Sequence, residues 1–322
     1  MNMNLGLIGV GRHGTRYAQH LLGPDSPGRL VAICRRDATQ GQAFAKESSL
    51  RFHQDYQSLI KDPEVDAIIV VAPPSLTLPI AIAAIQNRKP LLIEKPLAVS
   101  GSDARQIVEH ASHAKVPIMT AHTLRYDSTI AKLKEWALDI GEWQELSLTA
   151  RLERRPHTSE DIKAWNNRGA LLEIGIHLLD LTRFLTGEEI GEVQCETNQP
   201  TLQIPEGHAW GKLTTESGRP CHFDVSRLSD SRMTQIEIIG QTGNIYANWS
   251  ASTITRYHKN NTPEELQLSP RPTIPLVIND FIQALRTGTA MPITAEDGLR
   301  AVEIAEACYQ SAALKHTVTV QV

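Results

Sequence analysis

Leu5-Gly6-Leu7-Ile8-Gly9-Val10-Gly11-Arg12-His13-Gly14 decides how the first third of this chain folds. A short apolar strand runs into three glycines spaced G-x-G-x-x-G, and a helix-period segment over 15–22 follows at once. The glycines have separate duties in such a turn: a tight bend, room for phosphate to approach the backbone, and close packing of helix on strand. The helix that begins there presents free N–H groups and a positive dipole end to an anion. The stretch therefore reads as a dinucleotide site, with Gly9, Val10, Gly11, Arg12, His13 and Gly14 around the phosphates.

Working outward, apolar runs at 5–10, 30–34, 65–71, 91–94 and 116–121 alternate with helix-period segments at 15–22, 38–47, 76–88 and 102–115. Continuously apolar strands separated by helices indicate a parallel sheet covered on both faces. Asp37-Ala38-Thr39-Gln40 reads as a capping box that opens the second helix. After residue 121 the rhythm changes. Helices at 128–138 and 170–185 flank an alternating strand at 145–153, and strands follow at 193–197, 208–215, 221–228, 234–239 and 244–258. Helices at 278–286 and 295–314 and a terminal strand at 317–322 close the chain. The expected fold is α/β: a Rossmann domain over 1–121 with a parallel sheet, and an α+β domain over 122–322 with a mostly antiparallel sheet.

The 322 residues carry a net charge of −4, with both signs dispersed. That balance gives no argument for nucleic-acid or membrane-surface partners. Cys34, Cys195, Cys221 and Cys308 are far apart and form no zinc-like spacing, so reduced thiols in a cytoplasmic protein and no metal are expected. No signal peptide is read in the first apolar run, and no run approaches the ~18 apolar residues of a membrane span.

The acid that would hold the ribose 2′-hydroxyl of NAD is missing. The second strand ends instead in Cys34-Arg35-Arg36. A guanidinium binds a 2′-phosphate bidentately where a carboxylate would repel it, so NADP is favoured and NAD stays open. The alternative is that these arginines are solvated residues at a helix start. Glu94-Lys95-Pro96 follows the apolar run 90–93 and sets an amine at the carboxyl end of a strand, the edge where open parallel sheets bind ligands. Proline restricts its own backbone and that of the residue before it, which aims Lys95. In Leu171-Leu172-Glu173-Ile174-Gly175-Ile176-His177, the acid and the histidine are spaced i, i+4 on one helix face. That is a pair able to fix a tautomer and exchange a proton, or a satisfied histidine on a core-facing helix.

These motifs together resemble the glucose-fructose oxidoreductase / inositol dehydrogenase / rhizopine-catabolism group of NAD(P)-dependent oxidoreductases, called Gfo/Idh/MocA. The resemblance covers almost the whole chain. It rests on the Gly9-to-Gly14 turn, Val70-Val71-Ala72-Pro73-Pro74, Glu94-Lys95-Pro96, Arg125-Tyr126 and Gly169-Ala170-Leu171-Leu172-Glu173-Ile174-Gly175-Ile176-His177. It implies a large open sheet in the second domain, often a subunit interface, and hence a homo-oligomer, dimer or tetramer. It adds Ala72, Pro73, Pro74, Glu94 and Lys95 to the cofactor set, beside Cys34, Arg35 and Arg36. It implies that Lys95 orients the reacting oxygen, His177 exchanges the proton and Glu173 orients the imidazole. Arg125 resembles a basic residue at the pocket edge, with a packing salt bridge as the equal alternative. This chain departs from the family pattern at Glu173, usually aspartate, at Thr77, often histidine, and in a glycine cluster reduced to Gly169 behind Asn167 and Arg168.

The resemblance implies a small sugar-like substrate, a polyol, sugar or related cyclic compound. The loop Arg151-Leu152-Glu153-Arg154-Arg155-Pro156-His157 through Trp165 to Arg168 precedes the Glu173 helix, with Trp165 a stacking surface and Arg168 an anion partner, or else packing and a solvated rim. Two alternatives stand beside a sugar or polyol oxidoreductase: a reductase or dehydrogenase of a non-sugar ring, as in the dihydrodiol-dehydrogenase and biliverdin-reductase-like branches, and a nucleotide sensor without turnover on the same fold.

Overall fold

A computed structural model describes residues 3–154, 158–198, 205–259 and 262–321. The chain divides into two compact units, residues 1–122 with Thr273–Leu299 and Thr123–Pro272 with Arg300–Val322.

The first unit begins with β1 (Asn4–Ile8), α1 (Arg12–Leu22), β2 (Arg29–Cys34), α2 (Ala38–Glu47), β3 (Arg51–His53) and α3 (Tyr56–Ile60). It continues with β4 (Ala67–Val70), α4 (Thr77–Gln86), β5 (Leu91–Glu94), α5 (Gly101–Ala114) and β6 (Ile118–Ala121). All strand pairs are parallel, in the order β3-β2-β1-β4-β5-β6. The order reverses between β1 and β4, and a crevice at such a switch point is where doubly wound sheets bind dinucleotides. Leu5, Leu7, Ala67, Ile68, Ile69, Leu91 and Leu92 have no exposed surface, as expected of strands covered on both faces. The edge strand β3 and the short α3 were absent from the sequence reading. Three residues, Arg51, Phe52 and His53, are too few and too polar to show a strand period.

The second unit holds α6 (Ser128–Trp136), β7 (Trp143–Glu153), α7 (Ser159–Ala164) and, after a π-helical segment Leu171–Gly175, α8 (Ile176–Thr186). Then come β8 (Ile190–Thr197), β9 (His208–Thr215), β10 (Pro220–Ser229), β11 (Met233–Gly240), β12 (Gly243–Asn248), β13 (Thr253–His258) and β14 (Glu264–Gln267). The last elements of the chain are α9 (Thr273–Thr287), α10 (Ala295–Leu314) and β15 (Val318–Thr319). The sheet runs β14-β13-β12-β11-β7-β10-β9-β8-β15, antiparallel throughout except where β10 lies parallel to β7. One face is core: Leu146, Leu148, Ala150, Cys221, Phe223, Val225 and Ile236 are buried. Register puts Ser147, Thr149, Trp210, Asp224, Glu237 and Tyr246 together on the other, half-exposed face. The expected single strand at 244–258 is a hairpin, β12 and β13, turned through Ser252 at φ +55°.

The two units are not each one continuous stretch of chain. Thr273–Leu299, assigned by sequence to the second domain, belongs to the first unit. Ile282 Cδ1 lies where a Cβ on Gly28 would meet it at 2.8 Å, Arg286 donates to the Pro27 carbonyl, and Thr120 N donates to Ile293 O. These contacts are between residues far apart in sequence, and no local pattern records them. Among the described residues, no helix is long and apolar enough to cross a membrane.

Candidate functional site

At the end of β1 the chain turns through Gly9, at φ +96°, where a Cβ would lie 2.3 Å from the Val71 carbonyl oxygen. Gly9 N donates to Cys34 O at 3.0 Å, tying the turn to the end of β2. A Cβ on Gly14 would lie 1.8 Å from Gly9 O, so α1 is pressed onto the strand as close as its backbone permits. Gly11, between them, would meet nothing within 4 Å. Neither a turn nor packing explains a glycine there, while the close approach of a ligand to the backbone does. Gly11 is the N-cap of α1 without a side-chain cap, and the first turn holds no acid. The helix end is thereby left open to an anion. The site fits a dinucleotide pyrophosphate.

At the adjoining end of β2, Cys34 is buried and its thiol is pushed up to about 12, by burial and then by Asp55. It is a packing residue, inert as a nucleophile. Arg35 is half-buried: Nη1 donates to Val10 O at 2.7 Å and Nη2 to the Gln40 side chain. Arg36 is exposed. Asp37 caps α2, accepting from Gln40 N at 3.0 Å and Gln40 Nε2 at 2.6 Å, so the N-cap half of the expected capping box is present and the Gln40 side chain returns to the Asp37 carboxylate. Ala72 and Pro73 follow β4, and Pro74 opens a short 3₁₀ turn into α4, where Thr77 is buried.

Glu94 ends β5 with its side chain 10 % exposed. Its Oε1 accepts from Tyr17 Oη at 2.7 Å and lies 2.8 Å from His13 Nε2, and its Oε2 accepts from Lys95 N at 3.0 Å. Burial opposes ionisation, but His13, Lys95 and Tyr17 outweigh it and hold the carboxyl below its ordinary range. The Tyr17 phenol is pushed far up, by burial and then by Glu94, so it remains a donor. The carboxylate thus fastens the helix of the glycine turn to the backbone of Lys95. Sequence placed Glu94 in the cofactor set and missed this linking role. Lys95 is half-buried at the carboxyl edge of the sheet, and its bond to Pro96 is cis. A cleft of about 500 Å³ lined by Asn4, Arg29, Leu50 and Arg51 opens at the amino ends of β1, β2 and β3, the edge opposite this chemistry.

In the second unit, Glu173 lies in the π segment and His177 in the first turn of α8, both half-buried. Arg227 of β10, 6 % exposed, donates to both Glu173 oxygens, Nε to Oε2 at 3.0 Å and Nη2 to Oε1 at 2.5 Å. The expectation was an acid whose partner is the imidazole, and the structure adds a buried guanidinium. A lone arginine in the apolar pattern at 221–228 was the available signal. Arg125 makes the salt bridge named as its alternative, Nε to Asp180 Oδ2 at 2.9 Å and Nη2 to Oδ1 at 2.6 Å, beside the Phe184 ring. Arg168 lies over the Tyr309 ring at 3.9 Å, and Trp165 is half-buried in the turn before Gly169. Arg155, Pro156 and His157 lie outside the described residues. Among the described residues, no cluster of side chains could hold a metal ion.

With this geometry in hand, comparisons with known proteins are specific. Residues 3–122 match the model of an oxidoreductase family with an NAD-binding Rossmann fold, and residues 154–320 match that family's C-terminal alpha/beta domain. Inositol 2-dehydrogenase 2 of Saccharopolyspora erythraea is 27 % identical over 333 residues, covering 100 % of this chain and 96 % of the relative. Myo-inositol 2-dehydrogenase of Thermotoga maritima is 27 % identical over 335 residues, covering 99 % of each. The crystal structure of an NAD binding oxidoreductase from Klebsiella pneumoniae superposes with a TM-score of 0.89 at 22 % identity, covering 100 % of both chains.

Proposed function

Because the chain belongs to the Gfo/Idh/MocA oxidoreductase family, in both its Rossmann and its C-terminal part, we propose that it interconverts a secondary alcohol and ketone on a sugar, polyol or related cyclic compound. It is an NAD-binding oxidoreductase acting on CH–OH groups. One observation carries the finer reading: Lys95 stands at the carboxyl edge of the nucleotide sheet, fastened through Glu94 to the helix of the glycine turn.

The Gly9–Gly14 turn and the N-terminus of α1 hold the pyrophosphate, and Ala72, Pro73 and Pro74 border the nucleotide. When bound, the nicotinamide supplies a hydride acceptor or donor at C4. The preference is for NADP over NAD, supported by the missing acid at the end of β2 and by Arg35 and Arg36 in its place. Lys95 orients and polarises the substrate oxygen. His177 takes the alcohol proton, or returns one to the carbonyl. Glu173, held by Arg227, keeps the segment before His177 in place. The names of the inositol dehydrogenase relatives support a polyol as substrate. The half-exposed sheet face bearing Trp210 and Tyr246 supports assembly into a homo-oligomer.

A panel of cyclic polyols, aldoses and non-sugar cyclic diols, assayed with NADP and NAD at the nicotinamide absorbance, tests the reading. Turnover of a polyol or sugar is expected, together with its loss in Lys95→Ala and His177→Ala. Turnover that survives both substitutions would remove these residues from the reaction.

A further inference from the structure

The helix that carries Glu173 and His177 begins at Gly169, and a single residue of a distant loop receives its first three N–H groups. Gly169 N donates to Glu206 Oε2 at 2.9 Å, Leu171 N to Glu206 Oε1 at 3.1 Å, and Ala170 N to the Glu206 carbonyl at 2.9 Å. Tyr309 Oη donates to the same Oε1 at 2.7 Å, and Arg168 lies over the Tyr309 ring. Glu206 is only 3 % exposed. Helix starts leave such N–H groups without intrahelical partners, and capping side chains ordinarily satisfy one or two. The fit leaves no slack, since a Cβ on Gly169 would lie 2.0 Å from Glu206 O. Gly207 O, one residue on, accepts from Arg227 N at 2.7 Å. The dipeptide Glu206-Gly207 therefore holds both the start of the helix and the strand residue that grips Glu173.

We propose that Glu206 is the positioning residue of the proton-transfer helix, fixing through Gly169, Ala170 and Leu171 where Glu173 and His177 stand. The inference rests on the role given to His177 above. Glu206, with its carboxylate on the Gly169 and Leu171 N–H groups and its carbonyl on that of Ala170, locks the rotation of a π-helical segment, and a segment of that hydrogen-bond pattern has a ready alternative in the ordinary α-helical one. A change of pattern between Gly169 and Gly175 would turn Glu173 and His177 relative to β10. Misplacement of a reacting group by ~1 Å costs on the order of a hundredfold in rate. Burial pushes the Glu206 carboxyl up, opposed by Tyr309 and by the Leu171 and Gly169 amides, and burial pushes the Tyr309 phenol far up, which keeps it a donor.

The test uses the full chain labelled in its histidine rings, with the His177 signal assigned by its disappearance in His177→Ala. In Glu206→Ala the His177 ring signal should move and kcat should fall by at least about tenfold, with the NADP dissociation constant within about twofold of the parent. Glu206→Gln, which keeps an acceptor oxygen, should return both toward the parent. Tyr309→Phe should shift the His177 signal in the same direction by less. An unmoved His177 signal in a folded Glu206→Ala protein overturns the proposal. If that variant does not fold, unmoved signals in both Glu206→Gln and Tyr309→Phe overturn it equally. Absence of turnover in the parent would sink the assigned reaction, whereas the ring signal would still decide the role of Glu206.

Discussion

At the scale of single residues, Gly11 and Gly14 separate the demands of folding from those of binding. A methyl group on Gly14 would collide with Gly9 O at 1.8 Å, while one on Gly11 meets nothing. Gly14→Ala should thus lower the melting temperature as α1 is pushed off β1, at a cost of roughly 1–3 kcal/mol. Gly11→Ala should melt with the parent yet bind NADP at least about tenfold more weakly. Thermal melts and tryptophan-fluorescence titrations check both, and an unimpaired affinity in Gly11→Ala would remove that backbone from the phosphate site. The pair of buried Arg227 and half-buried Glu173 follows a different logic. Removing the guanidinium leaves a partly exposed carboxylate without it, and Arg227→Met should cost about 1–3 kcal/mol, whereas Arg227→Met with Glu173→Leu should recover most of it. Denaturant unfolding of the parent, Arg227→Met, Glu173→Leu and the double variant gives the coupling. The three glycines of the turn were legible in the sequence because turn chemistry is local. The partner of Glu173 was not, since Arg227 reaches it from a strand 54 positions away.

At the scale of elements, Glu94 joins α1 to the end of β5, and that junction has a sign in pH. Its folded-state carboxyl lies below the ordinary 4.5, with burial opposing and His13, Lys95 and Tyr17 outweighing it. A depressed carboxyl stabilises the fold above the unfolded value and loses that contribution as pH falls through the folded one. The stabilisation should therefore be complete above about pH 4.5 and disappear below it. Tyr17→Phe removes a hydrogen bond to a charged acceptor, with an expected cost of about 1.5–3 kcal/mol near neutrality that shrinks in acid. Stability curves from pH 3 to 7 measure this, and a deficit independent of pH would show that the phenol does not act through the carboxylate. The parallel strands were readable because burial on both faces leaves continuous apolar runs. In the second unit, the break of 244–258 into β12 and β13 was not, because the turn at Ser252 carries no glycine or proline to announce it. The π segment was likewise read as ordinary helix. Its apolar period is compatible with both, and the choice between them is made by Glu206 from outside the segment.

At the scale of the whole molecule, the chain builds most of the nucleotide unit, leaves it at residue 122, and returns with Thr273–Leu299 before finishing in the second unit. Both fold classes are legible to sequence reading, but it takes each unit as one continuous stretch. The return is invisible to it because α9 is amphipathic whichever unit it covers. Its stripe Ile274, Val277, Ile278, Phe281 and Ile282 has the spacing of any core-facing helix. The consequence concerns what is needed to fold. A fragment of residues 1–122 lacks Ile282, which packs near Gly28 and Leu5, and the carbonyls of Ile293 and Thr294, which accept from Thr120. Deletion of one fully buried isoleucine side chain alone costs about 2–5 kcal/mol, against a stability of roughly 5–15 kcal/mol for a whole domain. The fragment 1–122 should therefore melt well below the same fragment joined by a flexible linker to residues 273–299, and it should bind NADP weakly or not at all. Calorimetry and fluorescence titration of the two make the comparison. Equal melting and equal affinity would mean that the Rossmann sheet is complete at residue 122, and that the returning helix contributes nothing to the unit it rejoins.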